Sequence, residues 1–137
     1  MIDVGAVVGA FLRERFPKVP RYYHGPAPDF GERMIVYQII EPSPVGAGSR
    51  VWEAVEFHLY MHSFHRDREK AVELANSVCQ ELYDAYWGSE TVVAGGEEYR
   101  FSFVEVVRLP QAENDNLVND QQIFRFDSQL RIIVRRA

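Results

Sequence analysis

The sequence predicts an α+β fold: a mainly antiparallel β-sheet packed against two α-helices in a single domain. Three observations carry this. Two segments place apolar residues at helical spacing, several others alternate with a period of two or form short apolar runs, and tight turn signals join neighbouring strand-like segments. The order is helix, strand, strand, helix, hairpin and a long last strand. No internal repeat and no linker divides the chain.

The first helix spans Asp3 to Phe16, where Val4, Val7, Val8, Phe11 and Leu12 recur on one face. Asp3 is suited to cap its start and Pro17 to stop it, while Gly5 and Gly9 weaken it or let it approach another backbone. Residues 17–32 hold four prolines and two glycines and are expected to form an irregular connector. Met34 to Ile40 is a nearly continuous apolar run, the pattern of a buried strand. Residues 41–50, with Pro42, Pro44, Gly46 and Gly48, read as a flexible loop at the tip of a hairpin.

Val51 to Met61 alternates most clearly. Val51, Val55, Phe57, Leu59 and Met61 share one face, interrupted by Glu53, and Trp52, Ala54, Glu56, His58, Tyr60 and His62 share the other. That second face is aromatic and only partly polar, a composition often covered by a neighbouring chain. Asp67 to Trp87 is the strongest helix, with Ala71, Leu74, Ala75, Val78, Leu82, Ala85 and Tyr86 on one stripe. Asp67 suits its N-cap, and Gly88 suits a left-handed residue after its end. Thr91–Ala94 and 98–109 flank Gly95-Gly96 as a hairpin, and 110–122 is a polar exposed loop. Along 123–136, Phe124, Phe126, Leu130, Ile132 and Val134 face one way. Arg125, Asp127, Gln129, Arg131 and Arg135 face the other.

Composition bounds the function. The 137 residues are 47% hydrophobic and 13% aromatic, enough for a core without disulfide or metal staples. Twenty acidic residues against 15 basic give a net charge of −5, the wrong sign for a protein that grips nucleic acid. The single cysteine, Cys79, allows no intramolecular disulfide and suits a reducing compartment. With no signal-peptide pattern and no apolar run that spans a bilayer, a soluble cytoplasmic protein without membrane contact is expected.

No catalytic or cofactor-binding motif emerges. His58 and His62 stand four apart, but on a strand that separation is about 13 Å, too far to share one metal. Glu56 with His58, or His62 with His65, offers at most two ligands to a site completed elsewhere. Cys79 sits on the apolar stripe of its helix and reads as a small hydrophobe. Residues 45–49 lack the lysine and hydroxyl of a phosphate-binding loop, and the Asn- and Asp-rich loop 113–120 lacks an EF-hand's glycine and terminal glutamate. Arg125, Arg131 and Arg135 form a basic row, read as a solvated or subunit-paired face ahead of a DNA-binding one.

Taken in order, these elements resemble the tail terminator proteins of long-tailed bacteriophages. The resemblance rests on the helix ending in Phe16-Pro17, on the strand MIVYQII, and above all on VWEAVEFHLYMHSFHRDREKAVELANSVCQELYDAYWG. The closing pattern RLPQAENDNLVNDQQIFRFDSQLRIIVRR is similar to that family's polar loop and final strand. The resemblance implies a structural virion protein, not an enzyme and without a cofactor, assembled in the host cytoplasm and located at the neck of the tail. It implies a homohexameric ring that caps the major tail-tube protein, meets the head–tail connector, and lets genomic DNA through its lumen without specific binding. Closed rings need two different contact patches per subunit. The candidates for this interface are the Trp52, His58 and Tyr60 face and the Arg125, Arg131 and Arg135 face. The alternatives are another neck component, such as a head–tail stopper or adaptor, or a small metal-binding domain or enzyme around Glu56, His58, His62 and His65.

Overall fold

The computed structural model describes residues 2–23, 32–45, 53–113, 116–118 and 121–137. Helix α1 spans Val4–Arg15 and α2 spans Arg68–Trp87. The strands are β1 (Arg21–Tyr23), β2 (Arg33–Pro44), β3 (Ala54–His65), β4 (Thr91–Ala94), β5 (Glu97–Ala112), β6 (Asn116–Val118) and β7 (Gln121–Arg136). Their order in the sheet is β1-β2-β3-β7-β5-β4, with β6 pairing beside β7.

Both helices form where the sequence places them, for the reasons it offers. Asp3 accepts from the Ala6 amide at 3.1 Å and Asp67 from the Lys70 amide at 3.2 Å, so each caps its own first turn. The buried faces are Val4, Val7, Val8, Phe11 and Leu12 on α1, and Ala71, Ala75, Val78, Cys79, Leu82 and Ala85 on α2. Most of them meet the inward residues of β2, β3, β4, β5 and β7 in the main core, with Phe11 edge-on to Phe101 at 5.2 Å between ring centres, while Ala71 and Ala75 pack with Phe126 in a smaller cluster. Burial alternates almost strictly along β3, as its period of two requires.

Five expectations change in detail. The sheet is mixed: β1 runs parallel to β2, and the remaining pairings are antiparallel. The proline-rich connector therefore contains a strand. Three residues between prolines are too short to show a period, but the Pro20 carbonyl accepts from the Ile35 amide and starts the ladder. β2 continues to Pro44 across a register shift between Ile40 and Ser43, with Glu41 at φ 53°. A bulge of this kind absorbs residues that alternation reads as a loop.

At the other end of the molecule, β5 reaches Ala112 and β6 occupies part of the expected polar loop. Gly88 closes α2 in the right-handed region at φ −81°, and Ser89 is the left-handed residue at φ 50°. Gly95 and Gly96, at φ 60° and 79°, supply the positive angles of the tight β4–β5 turn.

Candidate functional site

β3 and β7 pair antiparallel through the middle of the sheet, with His58 opposite Arg131, Tyr60 opposite Gln129 and His62 opposite Asp127. Residues directly opposite one another point to the same side. The row containing His58 and Tyr60 and the row containing Arg125, Arg131 and Arg135 are therefore neighbours on the outer sheet face, away from the helices. They make one surface. They are not the two separate patches that a head-to-tail contact requires. Trp52, the remaining member of the first row, lies outside the described residues, as do 46–50, 114–115 and 119–120 of the two loops.

That face carries an internally paired network. Arg131 Nη1 donates to Glu56 Oε1 at 3.1 Å, its Nε lies 3.4 Å from Glu105 Oε1, and its guanidinium stands 5.0 Å from the Phe103 ring centre. Arg125 grips Asp127 with two donors, Nε and Nη2, each at 2.8 Å, and lies over the Phe64 ring. His62 Nδ1 is 2.7 Å from the same carboxylate, and Gln129 Nε2 is 3.1 Å from His58 Nδ1. Burial pushes the Asp127 carboxyl upward, but the hydrogen bonds and charges of His62 and Arg125 outweigh it and hold it below the usual carboxylate range. Arg135 stays exposed, opposite Ala54.

The histidines do not converge. His62 faces outward to Asp127, whereas His65 is buried at 3% exposure on the other side, where its Nδ1 accepts from the Asp67 amide at 2.9 Å. Among the described residues, no three His, Cys, Asp or Glu side chains come together. Cys79 is buried, its thiol donates to Ser128 Oγ at 3.5 Å, and burial pushes its pKa up, which suits the small-hydrophobe reading.

Two other surfaces carry features that periodicity did not single out. Tyr83 and Trp87 stand on α2 at 38% and 68% exposure, and Leu109 on β5 reaches 70%. Between α2 and β5 lies a hollow of about 320 Å³, lined by Asn76, Cys79, Gln80, Tyr83, Val106, Leu109 and Pro110. On the flank of α1, a cleft of about 440 Å³ is lined by Gly9, Arg13, Arg21, Tyr22 and Tyr37 among others. The available signals were an aromatic pair four apart on α2 and two glycines four apart on α1.

No family model matches the chain. No curated protein matches it. A solved structure of a protein with no functional name aligns over 96% of this chain and 96% of its own, at 11% identity and a TM-score of 0.44. At that score the likeness carries no argument. Among the described residues, no helix is long and apolar enough to cross a membrane.

Proposed function

We propose that this protein is a structural virion subunit, a tail terminator that closes into a hexameric ring on the end of a phage tail tube and joins it to the head connector. The order of sequence patterns set out above carries the family reading. The paired outer sheet face is the structural observation that supports it best. Arg125 and Arg131 are each committed to carboxylates of their own face, which reduces the positive charge the centre of that face offers a polyanion and leaves the exposed Arg100, Arg108 and Arg135 toward its margins. With a net charge of −5, such a face suits a lumen through which DNA passes without being retained. His58, Tyr60, Arg125, Arg131 and Arg135 then act as one patch turned toward the passage.

The test is kinetic. Tail-tube protein from the same genome is allowed to polymerise, and this protein is added well below stoichiometry. A terminator stops elongation at ends and leaves short tubes of constant mass. Elongation that continues at its original rate would rule the reading out.

A further inference from the structure

We infer that the cleft between α1 and β1 is a binding site for a small phosphate monoester, held by Arg13, Arg21 and the Tyr37 hydroxyl. The inference goes beyond the terminator reading and does not depend on it.

A row on the helix and a register on the sheet build this cleft. Gly5, Gly9 and Arg13 stand four apart and so share one face of α1. β1 pairs in register with β2, which sets Tyr23 beside Tyr37 with ring centres 5.2 Å apart. The period of two puts Arg21 on the same side of β1 as Tyr23. Each tyrosine reaches the helix where a side chain is missing: a Cβ on Gly5 would stand 3.1 Å from the Tyr23 ring, and one on Gly9 2.7 Å from the Tyr37 hydroxyl. One turn beyond Gly9 comes Arg13, and a cleft of about 440 Å³ lies between it, Arg21 and the tyrosines.

The Tyr37 hydroxyl is the group a ligand would meet at the back of this cleft. The residue is only 5% exposed, yet its hydroxyl has no hydrogen-bond partner among the described residues. It borders both this cleft and an adjoining hollow of about 300 Å³ that shares Gly9 and Arg13. A polar group set so deep is costly to leave unmatched. Burial pushes its pKa up and Tyr23 adds to that, while the charges of Arg21 and Arg13 pull against both. The hydroxyl therefore stays protonated, a donor, with both guanidinium groups close enough to act on it. Among the described residues, Asp3 at the far end of α1 is the one carboxylate that acts on it, and the weakest of these charges.

Charge selects the ligand. Neither Arg13 nor Arg21 has an ion-pair partner among the described residues, whereas Arg15, on the same helix, is occupied by Glu81 at 2.7 Å and Glu90 at 2.5 Å. A phosphate monoester brings nearly two negative charges and three strong acceptor oxygens at about pH 7, which answers two guanidinium groups and one hydroxyl. A carboxylate or a phosphodiester brings a single charge. Guanidinium groups fork onto phosphate oxygens in pairs, which a lone hydroxyl then complements. The volume suits a small molecule, and Tyr23, 46% exposed beside Tyr37, offers a ring to an aromatic part of it.

The experiment titrates the full chain with phenyl phosphate by isothermal calorimetry at about pH 7.5, where the ester is mostly dianionic, and at fixed ionic strength. Binding at about 1 mM or tighter is expected. Arg13→Gln with Arg21→Gln is expected to weaken it at least about tenfold, and Tyr37→Phe, which keeps the ring and removes only the hydroxyl, roughly tenfold. Arg100→Gln with Arg108→Gln changes the net charge equally on β5 and is expected to leave binding within about twofold. Benzoate and the phosphodiester thymidylyl-thymidine are each expected to bind at least about tenfold more weakly than phenyl phosphate. Absent binding, a cleft variant that binds as the wild type does, or a β5 variant that loses as much as the cleft pair would each overturn the inference. Equal affinity for the diester would also overturn it, and would reassign the cleft to a nucleic-acid backbone. Unchanged circular dichroism in the variants separates a lost site from a lost fold. Tube elongation judges the terminator reading separately, so none of these outcomes decides it.

Discussion

His65 sits where the chain leaves β3 for α2, buried, with its Nδ1 accepting from the amide of the helix cap Asp67. Protonating that nitrogen removes the acceptor, and burial already holds the ring's pKa below its ordinary value. The folded pKa lies below the unfolded one, so the stabilisation is complete above about pH 6.5 and is lost as pH falls from there. Thermal melts should show the midpoint dropping on acidification through that range, and His65→Gln should flatten the dependence. Asp127 contributes in a separate window: its depressed carboxyl stabilises the fold above about pH 4 and is lost below.

Gly9 poses a second question of the same size. A Cβ there would stand 2.7 Å from the Tyr37 hydroxyl. Alanine favours a helix interior by about 1 kcal/mol over glycine, yet Gly9→Ala should destabilise by about 1 kcal/mol because the buried Tyr37 ring has little room to yield. In a Tyr37→Phe background the same change should become stabilising, which denaturant titration of the four proteins resolves. The role of Gly9 was only half readable in the sequence. A helical glycine signals close approach, but that the neighbour is a tyrosine ring and not a backbone depends on how β2 crosses α1.

At the level of elements, α2 is the clearest case of pattern becoming structure. Its stripe predicted the buried face, and Leu82, fully buried in the core, should lose 2–5 kcal/mol on truncation to alanine. Its end was misjudged by one residue: the left-handed position is Ser89, not Gly88. Ser89→Gly should therefore raise stability by about 0.5–1 kcal/mol, read as a shift in the denaturation midpoint. Strands followed the same division. β3 and β7 were visible because they alternate, and the β4–β5 hairpin because two glycines mark its turn. β1 was hidden by its length, and the extension of β2 by its bulge. The two hairpin pairings, β2 with β3 and β4 with β5, were readable from their turns, but the long-range pairing was not, so two rows on distant stretches of sequence looked like separate faces until the β3–β7 pairing joined them.

For the whole molecule, the proposed role turns on how the outer face would meet DNA. Its two central arginines are already paired within the face, and the chain is acidic. Duplex DNA should bind more weakly than about 100 µM at about 150 mM salt. Arg135→Ala should leave that unchanged in a fluorescence anisotropy titration, since one exposed guanidinium adds only about one released counterion. Tight binding that Arg135→Ala abolishes would give this face a gripping role in place of a passive one.

The central claim is that the protein ends a tube, and imaging tests it most directly. Tail tubes assembled in the presence of gold-labelled protein are viewed by electron microscopy. The account predicts label at one end of each tube, on a six-fold ring, with none along the shaft. Label spread along the shaft, or tubes with bare ends beside free monomer, would contradict it.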